Sequence, residues 1–267
     1  MQPDPEPAPS NDGSSQPESA EVPQSATAAQ QADEKASWQR IWAEADAVPG
    51  WLTEAQGKLL FEQAIGCGPG AVLLEIGSHQ GRSTVVLAHA AKQLGGTVIA
   101  LDPFVEGKLF GGMSTAEKFE RNLTQTGLRG FVRHVGDYST KARPGWREPF
   151  DYLYIDGKHD YWTFTDDLLW RAHLPAGAPI LVHDSYSSIG VTLGILAKVL
   201  PAADLRYEAR AGSLALFRNC APERQDRLRV LGELPWWLRN VGIKVLLRLR
   251  LRAVARRLGH DSPYDPY

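Results

Sequence analysis

The 267-residue chain predicts an α/β fold: a doubly wound, seven-stranded sheet, mostly parallel, with an antiparallel last strand. Three observations predict it. Short apolar runs alternate with helical segments between residues 72 and 200, the pattern of parallel strands joined by crossover helices. Five successive strand ends carry an acid at or beside them: Glu75, Asp102, Asp137, Asp156 and Asp184. Ligands of such sheets bind beyond the carboxyl ends of the strands, so that row points to a site rather than to packing. The last two strands, Leu205–Ala209 and Ser213–Arg218, are joined by only Arg210, Ala211 and Gly212. So short a link permits a hairpin and forbids a parallel crossover of a dozen or more residues.

Residues 1–35 are rich in Pro, Ser, Gln and Ala, carry seven acids before the first basic residue, Lys35, and contain no aromatic residue. Such a segment buries too little apolar surface to offset its chain entropy, and it is expected to be disordered. A single domain is expected over 36–220. It opens where Trp38, Trp42 and Trp51 arrive together, with Ser37 as the N-cap of a first helix. Thr53 and Gln56 form a capping-box pattern for a helix over Thr53–Ile65. The apolar run Val72–Ile76 then enters a loop containing Gly77 and Gly81, and a helix starts at Arg82. Further strands are expected at Thr97–Leu101, Phe131–Val135, Phe150–Ile155 and Pro179–Val182. The helices between and after them are expected at Ser114–Thr126, Asp160–His173 and Gly190–Leu200. The glycine-containing segment Phe104–Met113 reads as a loop able to act as a lid.

A net charge of −2 gives no global basic field for nucleic acid. Cys67 and Cys220 are too few for a disulfide framework or a zinc cluster. The N-terminus has neither a basic nor an apolar signal region, and no apolar run reaches the ~18–20 residues of a membrane span. The expectation is a cytoplasmic protein.

The loop after the first strand has the glycines that let backbone approach a ligand, followed by a helix N-terminus with free N–H groups. It is not a nucleophile elbow, because Ser78 directly follows Gly77, and no Gly-Lys-Ser/Thr makes it a P-loop. EIGSHQGRST, followed by ALDPF, VGDYS, YIDGKHDY and ILVHDSY, resembles the class I S-adenosylmethionine-dependent methyltransferases. The likeness is strongest to the branch with small-molecule and sugar O-methyltransferases, and it spans about Trp51–Arg218. It implies S-adenosylmethionine as cofactor, held by Glu75, Gly77, Ser78, Gly81, Ser83, Asp102, Asp137 and Asp156. Within that set Asp102 would take the ribose hydroxyls and Asp137 would lie near the adenine. His79 departs from the commoner glycine-rich form. The metal-dependent members imply Mg2+ or another divalent ion on Asp156 and Asp184, and His159 as general base. His183 stands where they have an acid, and imidazole suits softer ions than magnesium. An ordinary imidazole, with a pKa of about 6.5, suits the base role. The acceptor implied is a hydroxyl of a sugar, glycolipid or secondary metabolite. Two alternatives stay open: a metal-dependent hydroxylase-like relative on the same scaffold, and a non-catalytic cofactor-binding module tethered to a membrane or partner.

Residues 221–267 read as a basic appendage. Pro235–Leu258 fits one amphipathic helix, with Trp236, Ile243, Leu247, Leu251, Val254 and Leu258 on one face. Seven Lys or Arg and no acid lie between Trp236 and Gly259. Leu238, Val245, Leu246 and Leu249 fall outside that face. The pattern fits the inner, anionic face of a membrane. A helix docked on a partner subunit, as in a homo-oligomer, competes with it; nucleic acid is not expected.

Overall fold

The computed structural model describes residues 24–105 and 112–260. Residues 1–23 of the expected disordered tail and 106–111 of the expected lid lie outside the described residues. The chain divides into two compact units, residues 1–37 and Trp38–Tyr267. Within the segment expected to be disordered a helix begins at Gln24 and runs to Asp46 (α1, Gln24–Asp46). The sequence SATAAQQADEKA supplies the reason: alanine, glutamine, glutamate and lysine are strong helix formers.

The second unit is built on seven strands: β1 (Val72–Ile76), β2 (Thr97–Leu101), β3 (Val132–Val135), β4 (Tyr152–Ile155), β5 (Pro179–Val182), β6 (Arg206–Ala211) and β7 (Leu214–Arg218). Their order is β3-β2-β1-β4-β5-β7-β6. The first five are parallel, while β7 runs antiparallel to both β5 and β6; the link between β6 and β7 is only Gly212 and Ser213, one residue shorter than expected, and it forms the hairpin. Strand order reverses between β1 and β4, and that switch point opens a crevice at the carboxyl ends.

Alternation along the strands sends apolar side chains to two cores, one on each sheet face. Leu73, Val98, Ala100, Tyr152 and Tyr154 pack beneath Trp38–Ala45, α2 (Glu54–Ile65), α3 (Arg82–Leu94) and α4 (Gly112–Gln125). Leu74, Ile76, Ile99, Leu153, Ile155 and Ile180 face the opposite core with Phe164, Trp170, Val191 and Ile195. The Thr53–Gln56 capping box forms as expected. Several boundaries differ. Phe131 closes a 3-10 turn instead of starting β3, and Phe150 precedes β4. The helix expected over Asp160–His173 is helical only from Tyr161 to Asp167 (numbered α6 below) and continues as a 3-10 helix over Leu168–His173. The short helix α5 (Ser139–Ala142) and that helix, α6 (Tyr161–Asp167), are followed by α7 (Ile189–Gly194), which loosens into a π-helix over Ile195–Val199.

The expected appendage is part of the second unit. The single helix expected over Pro235–Leu258 is two, α9 (Leu234–Arg248) and α10 (Arg252–Arg257), and a further helix, α8 (Arg224–Gly232), precedes them. The chain turns between α9 and α10 at Arg250, which takes a φ of 60°. No glycine or proline announces that turn. Ile243 and Asn240 of α9 are fully buried, and Trp236 and Trp237 pack against the second core.

Candidate active site

Four loops meet at the carboxyl ends of β1, β2, β4 and β5. Gly77 ends β1 with a φ of 86°, and a Cβ there would stand 2.3 Å from the carbonyl oxygen of Asp156 at the end of β4. Only glycine allows two strand ends to meet so closely at that backbone conformation. Gly81, also at positive φ, precedes α3.

Glu75 is fully buried and accepts hydrogen bonds from Ser78 Oγ (2.8 Å), Ser83 Oγ (2.5 Å) and Thr84 Oγ1 (2.5 Å). Burial pushes its carboxyl up to about 7 against the lowering effect of those three hydroxyls. Three residues expected to hold cofactor, Glu75, Ser78 and Ser83, thus bind one another and shape the loop from below. Asp102 Oδ2 accepts from the backbone N–H of Ser78 (2.9 Å) and of His79 (3.1 Å), and Oδ1 from that of Phe104 (2.8 Å). It fixes the glycine loop to the end of β2. The loop also carries an aromatic pair not foreseen from sequence: the exposed Trp51 lies 5.2 Å from the His79 ring, centroid to centroid. Asp137 sits beyond β3 and accepts from the N–H of Tyr138 at 2.7 Å. It takes no part in the contacts around Glu75 or Asp102.

The second cluster lies across the crevice. Asp156 Oδ2 accepts from the Tyr154 hydroxyl at 2.9 Å, a partner the sequence reading missed. Its Oδ1 is 3.3 Å from His159 Nε2 and 3.2 Å from His183 Nδ1. His159 Nδ1 is 2.7 Å from Asp184 Oδ2, and Ser187 donates to Asp184 Oδ1 at 3.0 Å. Asp184 holds a φ of 56°, a strained value for a non-glycine residue and a feature that clusters at functional sites. Gly190 lets α7 close on this loop, since a Cβ there would lie 2.5 Å from the His159 carbonyl oxygen, which accepts from Ser188 Oγ.

The electrostatics correct one expectation. Burial lowers the His159 pKa, but the hydrogen bonds and charges of Asp156 and Asp184 outweigh it and carry it up to about 10. His159 is therefore an imidazolium at neutral pH in this arrangement, not the ordinary imidazole expected. For Asp156 and Asp184 burial acts upward, and the imidazoles outweigh it, holding both below the usual carboxylate range. His183 is buried, and although its Nδ1 is at ion-pair distance from Asp156, neither ring nitrogen has a hydrogen-bond partner among the described residues.

That orphaned imidazole bears on a metal. Ligand atoms of Asp156, His159 and His183 lie within 4.8 Å of one another. The set differs from the expected one: His159 joins it, while Asp184 is occupied by His159 and Ser187. Two imidazoles and one carboxylate fit a divalent transition ion better than magnesium.

A parallel sheet of this order with an antiparallel seventh strand, and a glycine loop at the end of β1, define the class I methyltransferase architecture. A family model described as a methyltransferase domain matches residues 74–185, which covers the glycine loop, Asp102, Asp137 and the Asp156–Asp184 cluster. Over that segment the chain is similar to methyltransferase domains. Among solved structures, it is similar to cofactor-bound Rv0187 from MTB, with 22% identity, a TM-score of 0.53, and coverage of 68% of this chain and 88% of that one. It is also similar to the O-methyltransferase TomG of Streptomyces achromogenes in complex with SAM, at 20% identity and a TM-score of 0.50, covering 64% and 82% of the two chains. The SAH-bound methyltransferase PaMTH1 of Podospora anserina matches at 14% identity with a TM-score of 0.53 over 77% of this chain and 98% of the other. These likenesses are of fold.

Proposed function

We propose that the protein transfers the methyl group of S-adenosylmethionine to a hydroxyl of a small molecule of the sugar, glycolipid or secondary-metabolite class. One observation carries the reading: the glycine loop and the Asp156–His159–His183–Asp184 cluster face one crevice, with Gly77 and Asp156 in backbone contact. The domain match and an O-methyltransferase of the same fold support methyl transfer over the hydroxylase-like alternative.

The sulfonium already activates the methyl group, so the chain must align donor and acceptor and take one proton. The acceptor oxygen bonds to the methyl carbon, the S–CH3 bond breaks to leave a neutral thioether, and the hydroxyl proton leaves. His159 is assigned that proton. Its Nδ1 is held by Asp184 at 2.7 Å, whereas its Nε2 contact to Asp156 is the longer at 3.3 Å. An acceptor hydroxyl that replaces Asp156 at Nε2 would remove one of the two carboxylates that raise the His159 pKa; once the imidazolium has released its Nε2 proton to solvent, an imidazole oriented by Asp184 alone is left, the arrangement of a general base. Were a divalent ion held by Asp156, His159 and His183, His159 Nε2 would be a ligand instead of the base, and the ion itself would polarise the acceptor oxygen. In this reading Glu75 and Asp102 hold the loop against which the methionine end of the cofactor lies.

Calorimetric titration with S-adenosylhomocysteine tests the cofactor, and methyl transfer to pooled small hydroxylated acceptors tests the chemistry. His159→Gln should keep its affinity within about threefold and lose roughly 10²–10⁴ in transfer. Failure of the folded wild type to bind S-adenosylhomocysteine would overturn the reading.

A further inference from the structure

Helix α9 is apolar on two opposite sides. One side, with Trp236, Asn240, Ile243 and Leu247, turns to the protein, and Asn240 and Ile243 on it are fully buried. The other carries Leu238, Val245 and Leu249, which are 62%, 50% and 62% exposed. Spacings of seven and four place these three on one helical face, with Gly242 between them. This explains the leucines that spoil a single amphipathic pattern in the sequence: they form a second face. Leu251, Val254 and Leu258 around α10 are exposed as well. Arg239 joins the two helices by donating to the carbonyl oxygens of Leu258 and Gly259 at the end of α10. Arg248, Arg250, Arg252, Arg256 and Arg257 are exposed around these apolar side chains, and no acid occurs between Leu234 and His260.

We propose that the α9–α10 hairpin lies on an anionic phospholipid surface, its exposed leucines and valines among the acyl chains and its arginines at the headgroups. Charge and apolarity together select this occupant. A second copy meeting the same face would set five arginines against five, because a two-fold interface is self-complementary in residues and not in charge. An RNA strand would satisfy the arginines but leave six aliphatic side chains in water, and residues 238–259 contain no aromatic ring on which a base could stack. A lipid interface accommodates both. Among the described residues no helix is long and apolar enough to cross a membrane, so the contact is with the surface.

The test is co-sedimentation of the full chain with vesicles of phosphatidylcholine alone and of phosphatidylcholine with about one-third phosphatidylglycerol. Binding is expected to the anionic vesicles only, and to weaken as salt rises. The variant Leu238→Gln/Val245→Gln/Leu249→Gln should lose at least tenfold in partitioning. Each of Arg250→Gln and Arg252→Gln should lose about fivefold. These side chains are exposed, and an unchanged near-ultraviolet circular dichroism spectrum of each variant keeps the comparison one of binding. Absence of binding to anionic vesicles, binding that the triple variant retains in full, or a stable solution dimer that the triple variant dissolves would each overturn the proposal. The outcome is independent of the methyl-transfer reading, since S-adenosylhomocysteine affinity is measured separately.

Discussion

At Glu75, three hydroxyl donors do not undo the cost of burial. Its carboxyl titrates at about 7 in the folded chain against an ordinary 4.5. The folded state therefore keeps a proton that the unfolded chain has released, and stability falls as pH rises from about 4.5 to about 7, then levels. At about 1.36 kcal/mol per unit, the loss is on the order of 3 kcal/mol. Glu75→Gln removes the titration. Unfolding free energies of the two proteins, measured from pH 4.5 to 7.5, should diverge with pH in the variant's favour. A constant difference would show that Glu75 ionises without penalty. The same residue marks a limit of reading from sequence. An acid-x-glycine at a strand end says that a carboxylate is there, yet its partners depend on the rotamers of Ser78, Ser83 and Thr84 in three dimensions.

Among the elements, the start of α3 is held by one side chain. Arg82 donates to the carbonyl oxygens of Val48 (2.6 Å), Leu52 (2.9 Å) and Asp46 (2.9 Å), tying the segment after α1 to the glycine loop. Arg82→Ala should lower stability by about 2–3 kcal/mol in urea unfolding, since charge-assisted bonds to backbone are lost together. Arg82→Lys should recover little of it, because an ammonium cannot fork to three carbonyls. A lysine variant at wild-type stability would deny the fork its role. The elements themselves were largely legible. Thr53 and Gln56 announce α2 by capping chemistry, and the three residues before Ser213 force the hairpin that distinguishes this sheet. Phe131 and Phe150 were misplaced because an apolar residue beside a strand packs equally well from a turn. The break at Arg250 was invisible, since an arginine at positive φ leaves no mark in composition. Of the site, the strand-end acids and His159 were legible as a group. The paired carboxylates that keep His159 protonated were not, because they require the distances between β4 and β5.

On the scale of the molecule, the C-terminal helices complete one of the two cores. Val230 is buried there, and Trp236 and Trp237 lean on it. Deleting residues 234–267 should lower the unfolding free energy by about 4–6 kcal/mol, from the apolar side chains that the deletion removes or uncovers. A truncated chain that unfolds at the urea midpoint of the full chain would show the core to be complete without them. The tail also reaches the site: Asn240 Nδ2 donates to the carbonyl oxygen of Tyr186, and Lys244 Nζ to that of Ser187 at 2.8 Å. Those carbonyls belong to the loop that bears His183 and Asp184. Recombination among relatives would meet this bond. A chimera exchanged over residues 74–185, the segment the family match covers, would part the imported His183 and Asp184 from Tyr186 and Ser187, the residues of that loop which the helix holds. A crossover placed beyond Lys244 would carry the loop and its support as one heritable piece.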